Sequence, residues 1–170
     1  MTKQLFLFIG FFGLFTIHGQ CQKRVFIEDP ELTFSYNLPK GAINQDDPFY
    51  HFIILPSVPE RTAPVVQLTY YEAFNISLAD YMDGVINGKL ATSLTDFKKI
   101  SSGTDFVDTN RASWAKYSFS EEGIAKCGLL YSFERFNQYF EILATSECPD
   151  FAGNEATFRK IIRSLEIRKN

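Results

Sequence analysis

The stretch from 111 to 148 constrains the fold more than any other part of this chain of 170 residues. Two runs rich in aromatic and aliphatic residues, 128–136 and 139–146, are typical of β-strands, and only Asn137-Gln138 stands between them. Asn tolerates the positive φ of a tight hairpin turn, so the sequence predicts a two-residue turn centred there. The stretch is therefore predicted to form one long β-hairpin, around which the other segments can be placed.

A turn centred on Asn137-Gln138 fixes which residues lie opposite each other. It would pair Phe133 with Ile142 and Cys127 with Cys148. Since side chains alternate across a strand, one face of the hairpin is apolar and needs a covering layer, whereas the other suits water. The predicted apolar face holds Leu129, Tyr131, Phe133, Phe140, Ile142, Ala144 and both cysteines, and the predicted polar face holds Ser132, Glu134, Glu141 and Thr145.

The N-terminus has the pattern of a secretory signal peptide, predicted as residues 1–20 with one α+β domain following over 21–170. Lys3 precedes an apolar run of 11 residues from Leu5 to Phe15, which is too short to span a bilayer as a helix. A buried N-terminal strand or helix is the alternative. The pattern predicts export to the periplasm, the cell envelope or the outside of the cell, and no other segment is predicted to span a membrane.

Cys21 lies where the lipidated cysteine of a lipoprotein would lie. Lipoprotein signals prefer a small residue just before that cysteine, whereas here Gln20 precedes it. A lipid anchor at Cys21 and simple secretion are therefore both open.

The other two cysteines are predicted to form a disulfide between Cys127 and Cys148. Export supplies an oxidising compartment, and the predicted register brings both side chains to the same face of the hairpin. Two buried free thiols are the alternative, because cysteine also behaves as a small apolar residue.

Several chemistries are disfavoured by composition and spacing. The formal net charge is −3, and outside the C-terminal tail the basic residues form no long run, which argues against nucleic-acid binding. The three cysteines are too far apart for a zinc site. The polar segment with Asn44, Asp46 and Asp47 could offer oxygen ligands to calcium, but it lacks the Gly and distal Glu of a calcium loop and is more typical of a solvated turn.

His51 is the only histidine after the predicted signal peptide, and no nucleophile motif accompanies it. A structural or surface role is the more typical fate of such a residue, although histidine can also act as a switch or ligand. The sequence therefore predicts no catalytic residue, no metal site and no cofactor.

The remaining segments alternate between strand and helix patterns. Ser77, followed three residues later by Asp80, is a typical start of a helix, and a second helix is predicted after Pro149 with Asp150 or Asn154 as its cap. The order of strands, helix, strands and helix predicts an α+β fold with an antiparallel sheet. Further strands are predicted at 25–27, 32–38, 49–55, 65–72, 97–101, 106–109 and 112–119.

The segment from 26 to 41 resembles the opening of PsbP-like domains, although Ala42 stands where those commonly carry an aromatic residue. The late hairpin and the terminal helix are similar to that superfamily too, which includes a photosystem extrinsic protein, a Ran-binding import factor and DcrB-type envelope proteins. The resemblance implies an antiparallel sheet with helices packed on its faces, an α/β/α sandwich, in proteins that mostly bind other proteins. It rests on Asp29-Pro30-Glu31, Phe34-Ser35, Pro39-Lys40-Gly41 and Ser164-Leu165.

These observations favour an exported, non-enzymatic binding or accessory protein whose partner is another, unidentified protein. Phe136 and Tyr139, beside the predicted turn, would supply an exposed aromatic surface unless a helix covers them. The alternatives are a small envelope enzyme or ligand-binding domain of NTF2-like type, and an immunity protein that neutralises a toxin. A pocket lined by His51 and acids would favour an enzyme, whereas a filled core with an aromatic patch would favour a binder.

Overall fold

A computed structural model describes residues 23–28, 30–47, 50–56 and 63–170. The predicted signal peptide, 1–20, and the predicted lipidation site, Cys21, lie outside the described residues, so both stay predictions. Within the described residues, no helix is both long enough and apolar enough to cross a membrane.

A large antiparallel sheet forms the centre of the fold, and the hairpin predicted from the sequence lies inside it. Its seven strands follow the order β3-β4-β5-β9-β8-β7-β6. The segment with Asn44, Asp46 and Asp47 is strand β3 and pairs with β4, so the solvated turn predicted there is wrong. The strands are β3 Ile43–Asp47, β4 Tyr50–Ile54, β5 Val65–Glu72, β6 Thr95–Val107, β7 Asn110–Glu121, β8 Ile124–Arg135 and β9 Gln138–Glu147.

A small sheet and four helical segments complete the architecture of the described residues. The small sheet has the order β1-β2-β10, with β1 Lys23–Glu28, β2 Leu32–Leu38 and β10 Glu166–Lys169. The helices are α1 Leu78–Asp83, a π-helix Gly84–Leu90, α2 Ala91–Ser93 and α3 Cys148–Arg163. One face of the large sheet carries α3 and the small sheet, and the other carries the segment from α1 to α2, which confirms the predicted α+β fold with helices on both faces.

A capping hydrogen bond and a proline explain where α1 and α3 begin. The Ser77 hydroxyl accepts a hydrogen bond from the Asp80 backbone N–H at 3.1 Å, which confirms the predicted cap. Helix α3 begins earlier than predicted, at Cys148, because Pro149 fits the first turn of a helix, where its missing N–H removes no hydrogen bond.

The hairpin turn lies one residue earlier than predicted. Phe136 and Asn137 both have positive φ, 53° and 61°, and Phe133 pairs with Phe140 rather than with Ile142. The register is thus shifted by two residues, which leaves every side chain on its predicted face. The predicted apolar face is confirmed: Leu129, Tyr131, Phe133, Phe140, Ile142 and Ala144 are buried in one core with α3 and the small sheet.

The opposite face of the hairpin is exposed to water only in part: Glu134 is exposed as predicted, whereas the middle of the face is covered. Ser132 and Glu141 are both buried, because the segment from α1 to α2 covers them. Its apolar side chains form a second core with the sheet. That core comprises Met82, Val85, Ile86, Leu90, Ala115, Tyr117, Phe119 and Leu130.

The predicted disulfide is present, although the cysteines are not directly opposite each other. Cys127 pairs across the ladder with Ser146, and Cys148 is two residues further on, at the start of α3. Their Cα atoms are 4.7 Å apart and their sulfurs are bonded. The bridge therefore ties strand β8 to the first turn of α3 rather than joining two strands.

Candidate functional site

The segment from α1 to α2 leaves an open pocket of about 420 Å³ at one end of the large sheet. Apolar side chains from the end of β5 and from the loop before α1 form its rim, and Glu141 of β9 lies at its floor. The pocket is lined by Tyr71, Phe74, Ile76, Asp80, Tyr81, Gly84, Val85, Lys89 and Glu141. Such a combination of apolar walls with a few convergent polar groups is typical of binding sites.

Glu141 is the central polar group of this pocket, and it is only 2% exposed. Its Oε1 accepts a hydrogen bond from the Tyr81 hydroxyl at 2.8 Å, and its Oε2 accepts one from Lys89 Nζ at 2.7 Å. Lys89 also donates to the Tyr71 hydroxyl at 3.3 Å. A buried carboxylate is stable only with such partners, so these residues act as one unit.

The protonation states of this unit follow from its contacts. Burial by itself would lower the pKa of Lys89, but the hydrogen bond to Glu141 and the charge of that carboxylate outweigh burial, and the net shift is upward. Burial, followed by the charge and hydrogen bond of Glu141, raises the pKa of Tyr81 well above its usual range. At neutral pH Lys89 is therefore a cation and Tyr81 a neutral donor. Groups held in these states bind and orient other groups, and they are poor proton acceptors.

The loop between β5 and α1 is fixed against the β8–β9 turn. The Ala73 backbone N–H donates to the Asn137 carbonyl at 2.9 Å. The Tyr139 hydroxyl lies 3.2 Å from the carbonyl oxygen of Phe74 and 2.5 Å from that of Ile76, so it can donate to either. These hydrogen bonds hold the loop in place while its apolar side chains remain exposed.

The exposed apolar residues at this end of the sheet are called the aromatic end below. Phe74 is 66% exposed, although burial is the usual state of such a side chain in a folded protein. A group of exposed apolar residues at one place is a feature of interaction sites. The aromatic end comprises Tyr71, Phe74, Ile76 and Phe136.

The two residues predicted as a partner surface have different environments. Tyr139 is buried, with its ring stacked on Tyr81 at a centroid distance of 4.0 Å, so its prediction as an exposed surface residue is wrong. The physical reason is that α1 covers this end of the hairpin. Phe136 lies in the turn itself and is 39% exposed, with the Arg135 guanidinium 4.6 Å from the centre of its ring. Its role as a contact stays a prediction.

His51 has a different environment from the residues around Glu141. It lines a cavity of only about 20 Å³ between the sheet and α3, whose other lining residues are apolar except Tyr36. Its ring lies 5.4 Å from that of Phe34. Across the part of the chain that the structure describes, no three His, Cys, Asp or Glu side chains are grouped as metal ligands would be.

Sequence reasoning missed the unit of Glu141, Lys89 and Tyr81. Glu141 was assigned to a solvated face because it alternates with apolar residues on β9. The available signal was that Leu130 and Leu143 share the same face, which indicates that an apolar layer covers it.

No protein-family model matches the chain, and no curated protein sequence matches it. Solved structures do match in fold. The protein PA94 of Pseudomonas aeruginosa, of unknown function, has a TM-score of 0.64 and 14% identity, covering 86% of this chain and 99% of its own. LpqN of Mycobacterium tuberculosis, involved in cell envelope biogenesis, has a TM-score of 0.62 and 15% identity, covering 85% and 90%.

The cyanobacterial PsbP protein, CyanoP, of Synechocystis is also similar, with a TM-score of 0.57 and 10% identity over 84% of this chain and 95% of its own. These likenesses confirm the resemblance inferred from the sequence. The chain has the PsbP-like fold.

Proposed function

We propose that this protein is an exported, non-enzymatic accessory protein that binds another protein through its aromatic end. The observation that carries this proposal is the exposure of apolar side chains around the pocket above Glu141. The residues with the largest exposed fraction at this place are Phe74 and Ile76. Aromatic residues at exposed positions often supply most of the binding energy of a protein interface.

Phe136 adds a second argument of a different kind. Its φ of 53° is unfavourable for a bulky side chain, and Asn or Gly would fit the turn better. The hairpin nevertheless carries an aromatic residue there, half-exposed beside the loop that bears Phe74. Backbone strain of this kind is concentrated at functional positions, so we interpret Phe136 as a contact residue rather than a turn former.

Three observations support export. The chain begins with a pattern typical of a signal peptide, and the Cys127–Cys148 disulfide is stable in oxidising compartments. The similar protein LpqN acts in envelope biogenesis. The immunity role considered from the sequence is one form of this proposal, in which the bound partner is a toxin.

Site-specific photocrosslinking in the source cell tests the partner surface. A photoreactive phenylalanine analogue replaces Phe74, Phe136 or, as a control, Ile100, which is 56% exposed on β6 away from the aromatic end. We expect one discrete protein adduct from positions 74 and 136 and none from position 100. An adduct of equal yield from all three positions, or none from positions 74 and 136, would overturn the proposal.

A further inference from the structure

A second pocket lies on the same face of the large sheet, where α2 ends, and has a volume of about 360 Å³. Its walls come from β5, the π-helix, β7, β8 and β9, from Ala63 and from the residue after α2. This pocket does not include the aromatic end or Glu141. The side chains that line it include Leu94, Tyr117, Phe119, Lys126, Leu143 and Thr145.

Lys126 is the unusual residue of this pocket, because it is only 8% exposed. Among the described residues, it forms no hydrogen bond or ion pair. Glu121 lines the same pocket and Glu147 lies opposite Lys126 on β9, but neither is within ion-pair distance of the ammonium group. A lysine side chain with so little exposure usually has an anionic partner, because partial loss of hydration of its charge is costly.

Aromatic and aliphatic side chains form part of the walls around Lys126. Tyr117 and Phe119 are buried, with ring centroids 5.9 Å apart, and Leu94 and Leu143 pack against the same core. The Tyr117 ring is held over Gly128, where an added Cβ would lie 2.2 Å from it. The absence of a side chain at Gly128 therefore lets the aromatic wall lie flat on the sheet.

These features define the chemistry of a ligand. The apolar part of the walls favours an apolar body, and the ammonium group of Lys126, which has no partner among the described residues, favours an anion. One cation balances one negative charge, and the carboxylate of Glu121 at the same pocket disfavours a dianion. We propose that this pocket binds a small carboxylic acid with an apolar body, whose carboxylate pairs with Lys126. This site is separate from the proposed protein-binding surface.

Calorimetric titration of the exported protein with octanoate tests the proposal, with 1-octanol and octylamine as probes of the same chain length. At pH 7.5 we expect saturable binding of octanoate, and binding at least about tenfold weaker for the other two, because a hydrogen-bonded charge contributes at least that much. Equal binding of octanoate and octanol, or no saturation with millimolar octanoate, would overturn the proposal.

Three variants locate the site. Lys126→Met should weaken octanoate binding about tenfold, and Lys126→Arg should retain most of it because the cation remains. Lys98→Met makes the same charge change at an exposed position on β6 and should leave binding unchanged. Octanoate affinity that is equal in Lys126→Met and Lys98→Met would show that Lys126 is not the anion site.

Amide chemical shifts give an independent readout on the unmodified protein, which covers the case in which Lys126→Met does not fold. Octanoate should shift the amides of Leu143 and Thr145 and leave those of Phe74 and Ile76 unchanged. Shifts confined to the aromatic end would place the ligand in the other pocket and contradict the proposal.

Discussion

The two faces of the large sheet differ in what they bury. On the face towards α3, the hairpin buries mainly apolar side chains, among which Phe133 stacks on Phe140 with ring centroids 5.0 Å apart. On the face towards α1, the same two strands bury Glu141, Ser132 and Lys126 among apolar residues. Ser132 Oγ has no hydrogen-bond partner among the described residues.

This difference indicates a division of roles. Uniform apolar burial stabilises a fold at little cost, whereas buried polar groups must be compensated by partners and are often neutral or unfavourable for stability. The pocket above Glu141 and the pocket beside Lys126 both lie on the mixed face. We infer that the face towards α3 holds the fold together and that the face towards α1 carries recognition. Substitutions on the two faces should therefore have different consequences.

Phe140→Ala should lower the free energy of unfolding by about 3–5 kcal/mol, the range for removing a fully buried phenylalanine. Phe140 is completely buried and packs against both Phe133 and Phe34. Denaturant unfolding measures the effect, with the exposed Ile100→Ala as a control expected within about 0.5 kcal/mol of the wild type. Similar losses in both variants would show that the face towards α3 is not the stabilising core.

Replacing both Cys127 and Cys148 by Ala should lower stability by about 3 kcal/mol, because the bridge closes a chain segment of 21 residues in the unfolded state. Thermal unfolding of the variant gives the effect. Intact mass of the unfolded wild-type protein after alkylation without reductant gives the control. If both cysteines are alkylated in that experiment, the bridge is absent in solution.

Lys89→Met should cost about 1–2 kcal/mol, less than the usual loss for breaking a buried ion pair because the Lys89 side chain is 46% exposed. The cost arises because Glu141 keeps its buried charge. The double variant Lys89→Met with Glu141→Leu should recover most of the loss, since no uncompensated charge remains. A double variant that is no more stable than Lys89→Met would contradict this account.

Acid should lower stability through contacts on the face towards α3, because Asp105 loses its charge there. Burial alone would raise the pKa of Asp105, but hydrogen bonds from Tyr131, the Phe106 backbone N–H and Arg163 lower it below its usual 3.8. A carboxyl with a lowered folded-state pKa contributes stability above its unfolded pKa and loses that contribution as pH falls through the folded value. Asp105→Asn should therefore cost about 1 kcal/mol at pH 7 and nothing below about pH 2.

The pH dependence of unfolding for wild type and Asp105→Asn measures this difference. A stability difference between wild type and Asp105→Asn that does not change from pH 7 to pH 2 would show that Asp105 does not act through its charge.

Alkali should destabilise the contacts on the opposite face. Lys89 has a raised pKa in the folded state, so its contribution to stability is complete below the usual pKa of 10.5 and is lost as pH rises through the folded value.

Phe136→Asn should raise stability by about 0.5–1 kcal/mol while it removes one contact of the aromatic end, because Asn tolerates the positive φ of this turn. Thermal unfolding and the yield of the photocrosslinked adduct at position 74 measure the two effects. A variant that loses stability would show that the Phe136 ring, packed on Arg135, contributes more to folding than the turn costs.

Local chemistry accounts for what the sequence predicted correctly. Strands β2 and β5 have the predicted bounds, because alternation of side chains is a strong local signal. The hairpin turn was predicted one residue too late, because Asn137 fits both the predicted turn at Asn137-Gln138 and the observed turn at Phe136-Asn137. A phenylalanine at positive φ cannot be recognised from the sequence. Strand β10 was taken for a charged tail, since its four residues form a strand only by pairing with β2.

The candidate site was beyond sequence reasoning for a different reason. Lys89 and Glu141 are 52 residues apart in sequence, and only the packing of the π-helix over β9 brings them together. The unpartnered state of Lys126 likewise depends on where Glu121 and Glu147 lie in space. Alternation places a side chain on a face, but it does not say whether that face is covered.

The position of β2 has a consequence for how the protein acquires its structure. This strand lies between β1 and β10, and Thr33 donates to Asn170 across 137 residues of chain. Contacts so distant in sequence form late, because the ends of a long loop must first meet. The small sheet therefore cannot close until β10 is available to pair with β2. A chain that lacks β10 would present an open edge of the small sheet to proteases and to other chains.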